Sequence, residues 1–188
     1  MAFRTDTKAI NDYELIPEGE YEVIIAKIDE KSSYNGTNTK LNFCLAVRND
    51  VEQKYQNRYI FLEIWKKKNP NDMDIQVSNY NFSHLMNVVK HCGIPDGKEF
   101  ESVAELCKEL LKKCMRVTVH HEEYKGKTSA KIDQLYGLSE TKFPECKHQF
   151  KGIQTSDNFV QKTAENFVSQ NNSLDDFEEV ISPDDIPF

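Results

Sequence analysis

The chain lacks the features that mark several large protein classes. No uninterrupted apolar run approaches the roughly 18 residues that a spanning helix needs, and the N-terminus has no basic segment leading into an apolar stretch, as a secretory signal would. A cytoplasmic protein with no membrane partner is the expectation. Glycine is scarce, 7 in 188 residues, and no phosphate-cradling glycine loop, nucleophile elbow or spaced carboxylate set appears. An enzyme is therefore not expected, nor is a cofactor. The five cysteines, Cys44, Cys92, Cys107, Cys114 and Cys146, form an odd set without a Cys-x-x-Cys step and read as reduced thiols, with no metal site. His120-His121-Glu122-Glu123 invites a metal-dependent nuclease reading. In a strand, however, His120 and His121 face opposite ways, so only alternate members of the run share a side.

What charge there is lies unevenly. The net charge of −7 comes mostly from the end of the chain. Residues 1–150 hold 22 Lys+Arg against 23 Asp+Glu, and residues 151–188 hold 2 against 8. A body near neutrality can still present a basic face. Three segments are expected: an N-terminal arm over 1–17, a domain over 18–147, and a disordered acidic tail over 148–188.

Strand signals open the domain. Tyr21 to Asp29 is rich in β-branched residues, Asn35-Gly36 supplies a favoured hairpin turn, and Lys40 to Arg48 alternates, with Leu41, Phe43, Leu45 and Val47 on one face. A third strand is expected from Arg58 to Lys66. Two helices follow, Asn81 to Cys92 with an apolar stripe at helical spacing, and Ser102 to Lys113 opened by a capping-box pattern. Lys112 and Lys113 fall in the last turn, where the helix dipole favours cations. Cys114 to Glu122 and Thr128 to Tyr136 read as two closing strands. The expected fold is mainly β with a helical insertion: an OB-fold-like five-stranded barrel with two helices between strands three and four.

The third strand carries the candidate site. Ile60, Leu62 and Ile64 make its core face, which leaves Tyr59, Phe61 and Trp65 pointing outward. Flat side chains on an exposed strand can stack nucleic-acid bases. Basic residues and one amide interleave with them: Lys40, Asn42 and Arg48 on the non-core side of the second strand, Lys66-Lys67-Lys68 after Trp65, and Arg116 on the fourth. Two hairpin tips flank the same face, one with Lys31 and Tyr34, the other with Tyr124, Lys125 and Lys127. Together they suit single-stranded DNA. The bland alternative is that the helices cover these aromatics, or that a subunit interface does.

The tail ends Asp184-Asp185-Ile186-Pro187-Phe188, an apolar tip behind aspartates and carrying a chain-end carboxylate. Such a tip suits a hydrophobic pocket beside a basic residue, although a solvated acidic tail can also end in phenylalanine. The tip resembles that of bacterial and phage single-stranded DNA-binding proteins, and the whole chain resembles the phage type. That resemblance implies sequence-independent binding of single-stranded DNA during phage replication and recombination, in the host cytoplasm, and recruitment of replication and recombination proteins through Asp184–Phe188. A homo-oligomer is also possible on that resemblance. The tail acids are more widely spaced than in that family, and the helical element is doubled. A replisome adaptor that holds protein rather than DNA is the alternative, with the nuclease less favoured.

Overall fold

The computed structural model describes residues 15–33, 36 and 38–150. Most of the expected arm, Tyr34, and the tail beyond 150 with its Asp184–Phe188 tip lie outside the described residues.

Over the described residues the protein is mainly β, a six-stranded antiparallel sheet with three short helices. In chain order the elements are β1 (Gly19–Ser32), β2 (Thr39–Val47), β3 (Tyr59–Trp65), α1 (Asp72–Gln76), α2 (Phe82–His91), α3 (Val103–Leu110), β4 (Cys114–Tyr124), β5 (Lys127–Ile132) and β6 (Leu138–Ser139). The strands lie in the order β3-β2-β1-β4-β5, and β6 pairs with β4. All five expected strands are present, and α1 and β6 are additions.

Period-2 alternation decides which way the sheet faces. Val23, Ile25 and Ile28 of β1, Leu41, Phe43, Leu45 and Val47 of β2, and Ile60, Leu62 and Ile64 of β3 are buried with Met115, Val117 and Val119 of β4. Leu85 and Val88 of α2 and Val103, Leu106 and Leu110 of α3 join the same core. Helices α2 and α3 thus pack on the inner face of the sheet.

Strand β1 is long enough to serve two neighbours because it bends. Its register to β2 shifts between Ile25 and Lys27, a bulge of the kind that sharpens local twist. The first part, Gly19 to Ile24, also pairs with β4. The end strands of the path are brought near each other, with Gln134 Nε2 donating to the Glu63 carbonyl at 3.2 Å.

Two element ends differ from expectation for local reasons. Helix α3 stops at Leu110, because Lys112 takes φ 64° and donates its N–H to the Ile25 carbonyl. Lys112 and Lys113 therefore belong to the turn into β4, not to a last helical turn. Strand β5 stops at Ile132, because the Asp133 carboxylate accepts the N–H groups of Leu135 and Tyr136, the side-chain turn Asp favours. Gly137 closes this loop where any Cβ would lie 2.7 Å from the Asp133 carbonyl oxygen.

Candidate functional site

The outer face of β1, β2 and β3 is built of rows set by the strand registers. Lys31, Lys40 and Trp65 form one row; Asp29, Asn42 and Glu63 the next; then Lys27, Cys44 and Phe61; and Ala46 with Tyr59. No helix covers this face at the two aromatics in question: Tyr59 and Phe61 are each 49% exposed. Trp65 is half-buried, with Lys40 Nζ 4.7 Å from its ring centroid. Tyr59 and Phe61 therefore lie on the outside of the molecule, as the alternation along β3 implies.

The cations are distributed less simply. Lys40 is ion-paired with Glu63 at 2.5 Å. Lys66 pairs with Glu30 at 2.9 Å and lies 5.0 Å from the centroid of the Tyr80 ring. The Tyr80 hydroxyl donates to the same Glu30, and burial first, then this carboxylate, pushes the Tyr80 pKa up. Lys67 pairs with Asp74 at 2.9 Å. The Asp74 carboxyl is held down to about 2, chiefly because it accepts the Phe82 N–H. Of the lysine run after β3, Lys66 is thus tied to β1 and Lys67 to α1, and Lys68 is exposed. Lys31 is exposed beside Lys40.

The β4–β5 hairpin reaches out with Tyr124 at 68% exposure and Lys125 Nζ 5.2 Å from its ring centroid. Lys125 and Gly126 both take positive φ, 51° and 73°, the backbone of a type I′ hairpin turn. Lys127 is exposed opposite Tyr124. Arg116 lies on β4, separated from β2 and β3 by β1, and is paired with Glu20 at 2.9 Å. It is not brought to the aromatic face.

Arg48 is a correction. Its side chain is wholly buried, so it cannot touch a ligand on the face. Nε and Nη2 grip both oxygens of Asp50 at 3.0 and 2.7 Å. Nη1 donates to the Phe143 carbonyl at 2.7 Å and to Thr141 Oγ1 at 3.2 Å, and Nη2 to the Glu145 carbonyl at 2.6 Å. The guanidinium holds the Asp50 carboxyl down to about 2. Around it, Glu22 accepts from Thr141 Oγ1 and the Lys142 N–H. Asn49 donates its N–H to His148 Nδ1 and exchanges two hydrogen bonds with the Gln149 backbone. Residues 141–149 thus form a strap pinned across one end of the sheet. The domain therefore runs beyond 147, and Arg48 is the residue that fastens its last segment.

Residues the sequence reading passed over complete the site. Lys131 and Gln134 join Lys31, Lys40, Asn42, Phe61 and Glu63 around a cavity of about 330 Å³ between β3 and β5. The alternation of β5, with Lys127, Ser129 and Lys131 on one side, was the available signal for Lys131. Cys44 lies beside Phe61, and burial raises its thiol to about 11, which keeps it protonated and unreactive at neutral pH. Among the described residues no three His, Cys, Asp or Glu side chains gather to hold a metal. His121 accordingly serves structure, its N–H donating to Glu18 and its Nε2 lying 2.8 Å from the Ile16 carbonyl. No helix of the described residues is long and apolar enough to cross a membrane.

A family model described as "Protein of unknown function (DUF669)" matches residues 3–159. The chain belongs to that family. The match takes in the whole sheet, the helices and the strap, and its description assigns the family no activity. No curated protein matches the sequence.

Proposed function

We propose that this protein binds single-stranded DNA along the outer face of β2 and β3, largely without regard to sequence, and recruits replication and recombination proteins through Asp184–Phe188. The observation that carries the reading is the pair Tyr59 and Phe61, each 49% exposed on an uncovered strand next to Trp65. Stacking a base on such a ring is worth roughly 1–3 kcal/mol and tolerates every base, since each has a π face. Lys31 in the Trp65 row, Lys68 after β3, and Lys125 and Lys127 at the β4–β5 tip are exposed and available to phosphates.

The strand order supports an OB-like reading of the sheet. A five-stranded OB barrel cut between its third and fifth strands gives β3-β2-β1-β4-β5, and here those two strands approach each other through Gln134 and Glu63. In that fold the second and third strands and the loops joining strands one to two and four to five hold oligonucleotides. This reading assigns those roles to the aromatic rows of β2 and β3 and to the Tyr124–Lys127 tip.

A gel-shift series with single- and double-stranded oligonucleotides over a range of salt tests the proposal. Retention of single strands that weakens steeply with salt is expected; equal retention of duplex, or none of either, overturns it. Deleting Asp184–Phe188 is expected to spare or strengthen DNA binding and to abolish capture of partner proteins. Loss of DNA affinity on that deletion contradicts the assignment of the tip. The adaptor reading draws on one observation, the internal pairing of Lys40, Lys66 and Lys67, which leaves fewer cations for phosphate. It predicts that no oligonucleotide perturbs Trp65.

A further inference from the structure

The cavity between β3 and β5 is lined by an amide side chain that the fold does not use. Asn42 is 4% exposed and lines the cavity. Its row neighbours are Asp29 and Glu63, yet neither takes its amide. Asp29 faces Lys27 at 2.7 Å and Glu63 faces Lys40 at 2.5 Å. No described residue hydrogen-bonds the amide, whose atoms keep contact with the solvent of the cavity. An amide that reaches a cavity and has no protein partner can offer its donor and its acceptor to a ligand there.

The other walls say what that ligand is. Phe61 supplies a flat apolar surface. Lys31 and Lys131 line the cavity with no ion-pair partner among the described residues, whereas Lys40 and Glu63 neutralise each other, so the cavity is net cationic. Its volume, about 330 Å³, lies at the small end of the roughly 300–1,000 Å³ of ligand sites. A ring wall, a hydrogen-bonding amide and two free ammonium groups in that volume suit one nucleotide.

We propose that this cavity takes a single nucleotide of the bound strand, its base laid on Phe61, its hydrogen-bonding edge against the Asn42 amide, and its phosphate near Lys31 and Lys131. The inference rests on the single-strand reading and adds to it a base preference at one position. The Asn42 amide offers an acceptor beside a donor. It matches a base that presents an exocyclic amino group next to a ring nitrogen, the edge shared by adenine and cytosine. An amide can turn over to suit thymine, but the Glu63 carboxylate opposite Asn42 only accepts, and it adds an acceptor for the exocyclic amino group of adenine or cytosine. The face is thus indifferent to sequence along the stacking strip and selective in one pocket.

The test is a titration of Trp65 fluorescence with equal-length oligodeoxycytidine and oligothymidine. The wild-type protein should bind the cytidine strand about tenfold more tightly, within the discrimination a bidentate amide contact provides. Asn42→Leu, close in volume, should bring that ratio to about one. Lys131→Ala, on the rim, should weaken both strands equally and preserve the ratio, which separates charge from base reading without touching the interior. An unchanged ratio in Asn42→Leu, or a wild-type ratio near one, overturns the pocket while single-strand binding stands. If Asn42→Leu fails to fold, the Asn42 side-chain amide NMR signals should shift with deoxycytidine monophosphate and not with thymidine monophosphate; equal shifts, or none, overturn the pocket. Silence of Trp65 toward both strands overturns the single-strand reading itself.

Discussion

Replacing Arg48 with alanine separates a structural cation from a ligand-binding one. The wild-type guanidinium is wholly buried and donates to Asp50, Thr141, Phe143 and Glu145. Its removal leaves the Asp50 carboxylate without its cation and two strap carbonyls without their donor. Breaking a buried ion pair from one side costs about 3–5 kcal/mol. Asp50 keeps the Lys147 N–H, and the strap lies at the surface where water can enter, so the lower end, about 3 kcal/mol, is expected. With a urea dependence of about 2 kcal/mol per molar, the unfolding midpoint should fall by roughly 1.5 M. Amide exchange over 141–149 should accelerate more than exchange in β2. Single-strand affinity, measured well below the transition, should stay within about twofold, since the side chain lies beneath the strap and off the aromatic face. A stability loss under 1 kcal/mol, or a large loss of affinity at unchanged stability, would refute the assignment of Arg48 to the strap.

The other expectations follow from the same geometry. Phe61→Ala should weaken single-strand binding by roughly 1–3 kcal/mol and barely alter the urea midpoint, because half the ring already faces solvent; a change under twofold in affinity contradicts its stacking role. His148 accepts the Asn49 N–H, and burial, the largest cause, lowers its pKa below the usual 6.5. The folded state therefore favours the neutral ring. Its contribution is complete above pH 6.5 and is lost as the pH falls below that value and through the folded pKa. His148→Gln keeps an acceptor that does not titrate, so the fall in urea midpoint between pH 7.5 and 5.5 should be smaller in the variant, and an equal fall in both proteins counts against the strap contact.

Much of the sheet is written in period-2 alternation, which a half-buried strand cannot avoid. Leu41 to Val47 and Ile60 to Ile64 announce a core face, and by default the opposite face of β3 shows its aromatics. Helix α2 was legible for the same reason, and its start at Asn81, whose side chain accepts the His84 N–H, follows from cap chemistry. Helix α1 is only five residues long, too short for periodicity, although Asn71 and Asp74 form a capping box around its start. The fate of the cations was not legible. Arg48 continues the polar side of β2 and looks like a surface residue until its partners arrive from 93 to 97 positions away. Lys66 looks as free as Lys68, yet its carboxylate comes from β1. Asn42 looked like one more polar residue on the same side. Its burial appears only when β3 and β5 approach each other, a tertiary event that no local pattern encodes.

The central claim is that β2 and β3 present their rings to a single strand. Trp65 is the chain's only tryptophan and stands in that surface, so its fluorescence reports on the claim directly. Titration with a mixed-sequence single-stranded oligonucleotide should quench it. The logarithm of affinity should fall with the logarithm of salt by about 0.7 for each phosphate neutralised, and duplex of the same sequence should compete poorly. Emission that stays constant through the titration, or quenching by duplex and single strand alike, would contradict the account.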